Sequence, residues 1–110
     1  MRRVYTPDRW VIIKTSDAAG EYYKVLGSWY GGFGGSDSWK LNSGITNATL
    51  VDNVYEFAGS SGSVYKCYEN GYGTSGYGQN VLTHLIEDAK ESITIEVMSE
   101  DTDFLQLEYK

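Results

Sequence analysis

A chain of 110 residues with 13 Gly, 10 Tyr, one Pro and a net charge of −6 is narrowly bounded. The length suits one domain (1–110) with a single modest core, and the 41% apolar share suits a globular fold. One Cys excludes an internal disulfide and a cysteine-rich metal centre, and a single His fits none of the zinc spacings.

The charge is uneven. Residues 1–86 hold seven basic and seven acidic side chains, whereas residues 87–110 hold eight acidic and two basic ones. The acidic end reads first as a solvated face that keeps the chain soluble, and second as a surface that docks a basic partner. Direct nucleic-acid binding is disfavoured, because phosphate neutralisation needs clustered Lys and Arg. The N-terminal residues carry no apolar signal-like core and no stretch reaches membrane-spanning length, so a cytoplasmic setting is expected.

Thr6-Pro-Asp8 is turn chemistry, and the β-branched run 9–15 reads as a strand buried on both faces. Residues 16–20 break it with a loop of about five residues. The segment 21–30 then returns, with Tyr23, Val25 and Trp29 on one face. A glycine–aromatic loop follows, over 31–38. Residues 45–68 predict a three-stranded meander, turned at Asp52-Asn53, which tolerate left-handed φ, and at 59–62. Its last strand puts Ser63, Tyr65 and Cys67 on one face, with Val64, Lys66 and Tyr68 on the other.

A second glycine–aromatic loop, 70–78, opens a helix expected from about Gln79 to Glu91. Val81, Leu82, Leu85, Ile86 and Ala89 form its apolar stripe. Residues 93–98 alternate as another strand, and 104–109 read as a last edge strand blunted by charge. The expected architecture is α+β: a mainly antiparallel, twisted sheet of five to seven strands with one amphipathic helix packed on one face.

No catalytic signature emerges. His84 borders the helix stripe and reads as a helix-flank residue, while Cys67 on a strand reads as a small inert hydrophobe. Gly31-Gly-Phe-Gly-Gly35 has neither the spacing nor the following helix of a dinucleotide fingerprint. The amides near Gly76 and Gly78 read as a helix entry before an anion site. Glu100 to Asp103 lacks the calcium-loop pattern. No metal, cofactor or enzymatic activity is therefore expected.

Binding remains. Rigid aromatic faces beside small hydroxyls and amides suit a polar, ring-bearing ligand or a protein hot spot. Trp10 and Trp29, on alternating strands, read as core. The candidate surface takes Tyr30, Phe33 and Trp39 as stacking groups and Lys40 for a negative group. Ser36, Asp37, Asn42 and Ser43 supply hydrogen bonds, Ser61 and Tyr65 come from the next turn, and the 72–77 loop adds a flank.

Three stretches carry a resemblance: Thr6-Pro-Asp-Arg-Trp-Val-Ile-Ile-Lys14, Gly32-Phe-Gly-Gly-Ser-Asp-Ser-Trp-Lys-Leu-Asn-Ser-Gly-Ile45 and Gly59-Ser-Ser-Gly-Ser-Val-Tyr-Lys-Cys67. They resemble small proteins encoded by tailed bacteriophages, and the likeness extends through the helix and Thr94-Ile-Glu-Val97. It brings no catalytic or binding residues with it. It implies a phage accessory protein acting in the host cytoplasm; by analogy with small phage proteins that work by binding, the expected role is to bind a host factor or a small nucleotide-like signal and counter host defence. Rival expectations are an acidic inhibitor of a basic host protein and a virion or assembly component that self-associates through edge strands.

Overall fold

The computed structural model describes residues 3–31, 35–89 and 93–109. In chain order the strands are β1 (Val4–Tyr5), β2 (Arg9–Asp17), β3 (Gly20–Trp29), β4 (Ser38–Leu41), β5 (Ile45–Val51), β6 (Val54–Gly59) and β7 (Val64–Tyr68). A short 3-10 turn, Glu69–Gly71, leads to helix α1 (Gly76–Asp88), and β8 (Thr94–Val97) follows. The class is α+β, as expected, but the strands form two four-stranded sheets instead of one. Their orders are β1-β7-β6-β5 and β4-β3-β2-β8.

The β2–β3 hairpin organises the second sheet. Its register runs from Arg9↔Ser28 to Asp17↔Gly20, so the turn is only Ala18–Ala19, shorter than the five-residue loop expected. Asp17 explains the shortening, because its carboxylate accepts from the amides of both Ala19 and Gly20. Alternation then divides the side chains of β2. Trp10 and Ile12 enter a core shared with Phe57, Tyr65 and Cys67 of the first sheet, whereas Val11 and Ile13 pack with Leu82 of α1. β2 is thus buried on both faces, between the other sheet and the helix.

The 45–68 meander is present, and Asp52 and Asn53 make its turn with φ of 51° and 66°. α1 starts at Gly76 with Ser75 as its cap, whose hydroxyl accepts from the amide of Gly78. Leu82 is buried and Val81 and Leu85 pack beside it, while Ile86 remains exposed.

Residues 104–109 do not form the expected edge strand. The chain turns there: Gln106 N–H donates to the Asp103 carbonyl, and Leu105 N–H to the Asp103 carboxylate. Such local acceptors compete with ladder pairing. The segment instead drops Phe104 into the inter-sheet core, with Leu107 and Tyr109 packed against it. The parallel pairing of β1 with β7 is an element that sequence alternation did not reveal.

Candidate functional site

The short β1 lies beside β7, and this brings the N-terminal residues against the β3–β4 edge. Val64 N–H donates to the Arg3 carbonyl and Trp29 Nε1–H to the Thr6 carbonyl. Between these elements runs a cleft made of two recesses. The first, about 460 Å³, is lined by Val4, Tyr5, Thr6, Trp29, Ser38, Trp39 and Lys40. The second, about 250 Å³, is lined by Tyr5, Lys40, Leu41, Asn42, Ser43, Ser61, Ser63 and Tyr65. Tyr5 and Lys40 line both, so the two recesses are neighbours.

The first recess is the aromatic end. Trp39 is 39% exposed, on an edge strand, while Trp29 is half-buried and meets Tyr5 edge-on. Lys40 Nζ stands 5.1 Å from the centre of the Tyr5 ring, a cation–π arrangement that positions the ammonium without neutralising it. Among the described residues the ion pair present is Lys14 with Glu21, at 3.0 Å on the β2–β3 hairpin, which raises the Lys14 pKa chiefly through their hydrogen bond. Among the described residues Lys40 has no such carboxylate.

The second recess is the polar end. Asn42 is 4% exposed. Its Oδ1 accepts from Val25 N–H at 2.9 Å, and its backbone N–H donates to the Val25 carbonyl at 3.0 Å. That pairing fixes the amide orientation, since a flipped amide would face one donor with another. Asn42 Nδ2 is then a buried donor without a partner, a condition that costs about 1–3 kcal/mol. Ser43 Oγ accepts from Ser61 N–H at 3.0 Å and from the Ser60 hydroxyl at 2.9 Å.

Six of the ten sequence-predicted residues therefore meet here: Trp39, Lys40, Asn42, Ser43, Ser61 and Tyr65. Asn42 and Tyr65 do so as buried framework, not as free hydrogen-bonding arms. Tyr30, Ser36 and Asp37 do not line the cleft. Asp37 instead ties its own loop, its carboxylate accepting from Gly31 N–H, and Tyr30 N–H donates to Asp8. Phe33 lies outside the described residues. The 72–77 flank is also elsewhere, because Tyr72 packs against Trp10 and donates its hydroxyl proton to the Met98 carbonyl. Sequence reasoning missed Val4, Tyr5 and Thr6, whereas Ser63 lies within the Ser60–Tyr65 turn expected on this surface. The signal available was a β-prone Val-Tyr pair just before the Thr6-Pro7-Asp8 turn, which lets a short strand fold back beside its successor.

Cys67 and His84 are held apart. Cys67 is fully buried between the two sheets, and burial pushes its thiol pKa up, away from the reactive thiolate. His84 is exposed on α1, which packs on the opposite face of the β4-β3-β2-β8 sheet. Among the described residues no three His, Cys, Asp or Glu gather as a metal site, and no helix is long and apolar enough to cross a membrane.

Burial also raises the phenol pKa values of Tyr55, Tyr72 and Tyr109, and takes that of Tyr65 to about 12. Below the unfolded values these groups are neutral in both states, so their contribution to stability is intact. Once pH passes about 8.5 for the thiol and about 10 for the phenols, the unfolded chain releases protons that the native state retains. The urea midpoint is therefore expected to stay level through neutral pH, to fall from about pH 8.5 and to keep falling towards pH 12. A midpoint that is constant or rising in that window would contradict the buried placement.

The fold and the cleft together define a small α+β protein with two packed sheets and an open aromatic–polar groove. No protein-family model matches the chain, and no curated protein and no solved structure is similar enough to count as a match.

Proposed function

We propose that this chain is a non-enzymatic binding protein whose recognition surface is the cleft between β1, β4 and the serine turn at 60–63. Its ligand is a host factor or, in the form the cleft favours, a small ring-bearing, nucleotide-like signal. The phage resemblance gives the context: an accessory protein in the host cytoplasm, acting by sequestration or blockade against host defence. The observation that carries the reading is that an aromatic recess bordered by exposed Trp39 and a hydroxyl-lined recess lie side by side and share Tyr5 and Lys40. Trp39 offers an exposed ring at the rim of the wider recess, and Lys40 offers a charge for an acidic group.

The test is a thermal-shift screen against nucleotides, cyclic and linear dinucleotides and NAD-derived compounds. A ligand at 100 times its Kd stabilises the native state by about 2.7 kcal/mol. Trp39→Ala is expected to abolish that shift while changing unliganded stability by less than about 1 kcal/mol, as for other exposed positions. A large loss of stability instead would make Trp39 a packing residue.

A second reading draws on the far end of the molecule. There Glu69, Glu100 and Asp101 border a groove walled by Tyr55, Tyr72 and Phe104, and Asp52 and Tyr68 extend it. This surface suits an inhibitor of a basic host protein. Silence across the nucleotide panel would overturn the small-ligand form and favour the acidic groove.

A further inference from the structure

β5 is an edge that the fold leaves open. It is the last strand in the order β1-β7-β6-β5, and among the described residues the backbone of 45–51 pairs with β6 alone. Edges are normally blunted by brevity, charge or proline, because their unpaired backbone groups accept any strand that fits. The other three edges follow that rule: β1 has two residues, β4 carries Lys40 and β8 carries Glu96. β5 has seven residues, Ile-Thr-Asn-Ala-Thr-Leu-Val, with no charge and no proline. Its bulge, between Ile45 and Asn47, sits at its start and leaves 47–51 regular.

The turn fixes which backbone groups point outward. Asp52 and Asn53 both have positive φ, as in a type I′ turn, whose closing pair Val51↔Val54 is hydrogen-bonded. Bonded and non-bonded pairs alternate along an antiparallel ladder, so Thr49 and Asn47 also bond to β6. The N–H and C=O groups of Ala48 and Leu50 therefore face the open side. An antiparallel copy of the strand, related by a two-fold axis at Thr49, sets Ala48 against Leu50 of the copy and Leu50 against its Ala48. Those are the bonded pairs of the new ladder, while the two Thr49 side chains face each other between them.

Charge selects a second copy as the occupant. Two chains of −6 repel, and like charges opposite one another weaken a strand pair. In this register no charged residue stands opposite another. Asp52 falls against Thr46 of the copy, and Glu56, one strand further in, already faces Lys66 across the ladder. Leu50 is 36% exposed and Val51 58%, so the pairing also covers apolar surface.

We infer that β5 is a homodimerisation edge, on which a second copy of this chain pairs antiparallel about Thr49 and joins the two sheets into one. The inference does not depend on the cleft. β1, which lines the cleft, is the opposite edge of the sheet, so each copy keeps its own.

The experiment follows the mass of the full chain by sedimentation. A short strand pair buries less than a permanent interface, so the range runs from micromolar to millimolar. The mass is expected to rise from 12.3 kDa towards twice that value. Thr49→Lys and Thr49→Glu, both at an exposed position, are each expected to weaken association about tenfold, and their equimolar mixture to restore it. Restoration follows only where position 49 meets itself. Wild-type amide exchange gives a reading that needs no variant. Ala48 and Leu50 are expected to exchange about tenfold more slowly in the concentrated sample, whereas Thr49, bonded to β6, keeps its rate. A chain that stays monomeric overturns the inference and leaves the edge to a strand from another protein. A dimer indifferent to both substitutions, a mixture that restores nothing, or equal exchange of Ala48 and Leu50 at both concentrations overturns it as well.

Discussion

Trp10→Ala is expected to cost about 3–5 kcal/mol, the range for deleting a buried large aromatic ring. A domain of this size has about 5–15 kcal/mol in total, so the variant should be close to unfolding at ambient temperature. Trp10 is 1% exposed and is ringed by Tyr72 at 4.8 Å, Phe57 at 5.6 Å, Tyr55 at 5.7 Å and Phe104 at 5.8 Å between ring centres. Its Nε1–H also donates to the Tyr68 carbonyl at 2.8 Å. Alanine would leave a cavity between the sheets and an unpaired carbonyl. Urea unfolding followed by circular dichroism measures the loss, and a value below about 1 kcal/mol, the usual mean for an arbitrary substitution, would refute this packing.

Phe104→Ala carries an expected loss of the same order, about 3–5 kcal/mol, although Phe104 belongs to no strand or helix. Its ring stacks on Tyr72 at 5.6 Å and meets Trp10, Tyr55 and Phe57 edge-on. The neighbouring Leu105 is 41% exposed, and Leu105→Ala is expected to stay within about 0.5 kcal/mol. The contrast between adjacent positions is the sharp part of the test. Equal, small effects at both would mean that the C-terminal segment only covers the sandwich and does not complete its core.

That segment shows where sequence reasoning reaches its limit. Period-two alternation placed Tyr23, Val25 and Trp29 together, and the structure packs all three on the inter-sheet core. The turn at Asp52–Asn53 and the helix stripe through Leu82 were legible for the same reason, because each is decided by neighbours in the chain. The stretch 104–109 looked like a strand on composition. Its buried residues, Phe104, Leu107 and Tyr109, are spaced by three and then two, a spacing that no single strand face satisfies. Whether eight strands make one sheet or two depends on pairings between distant residues, and composition does not encode those. The candidate site was half legible: the Trp39–Ser43 and Ser61–Tyr65 wall came from local chemistry, while Tyr5 arrived through the β1–β7 pairing.

That pairing also sets the order in which the molecule assembles. β2–β3 and β5–β6–β7 are joined by short turns and close cheaply, but β1 must find β7 across about sixty residues of chain, in the register Val4↔Val64 and Tyr5↔Tyr65. A two-residue strand with so distant a partner is expected to form late and to detach below the free energy of global unfolding, which amide hydrogen exchange at Val64 and Tyr65 would measure. Since Tyr5 joins both recesses, detachment dismantles the groove while leaving the two hairpins intact. The groove's effective affinity is then scaled by the fraction of molecules with β1 docked, and an occupant that bridges Tyr5 and Lys40 acts as a latch on the N-terminal strand.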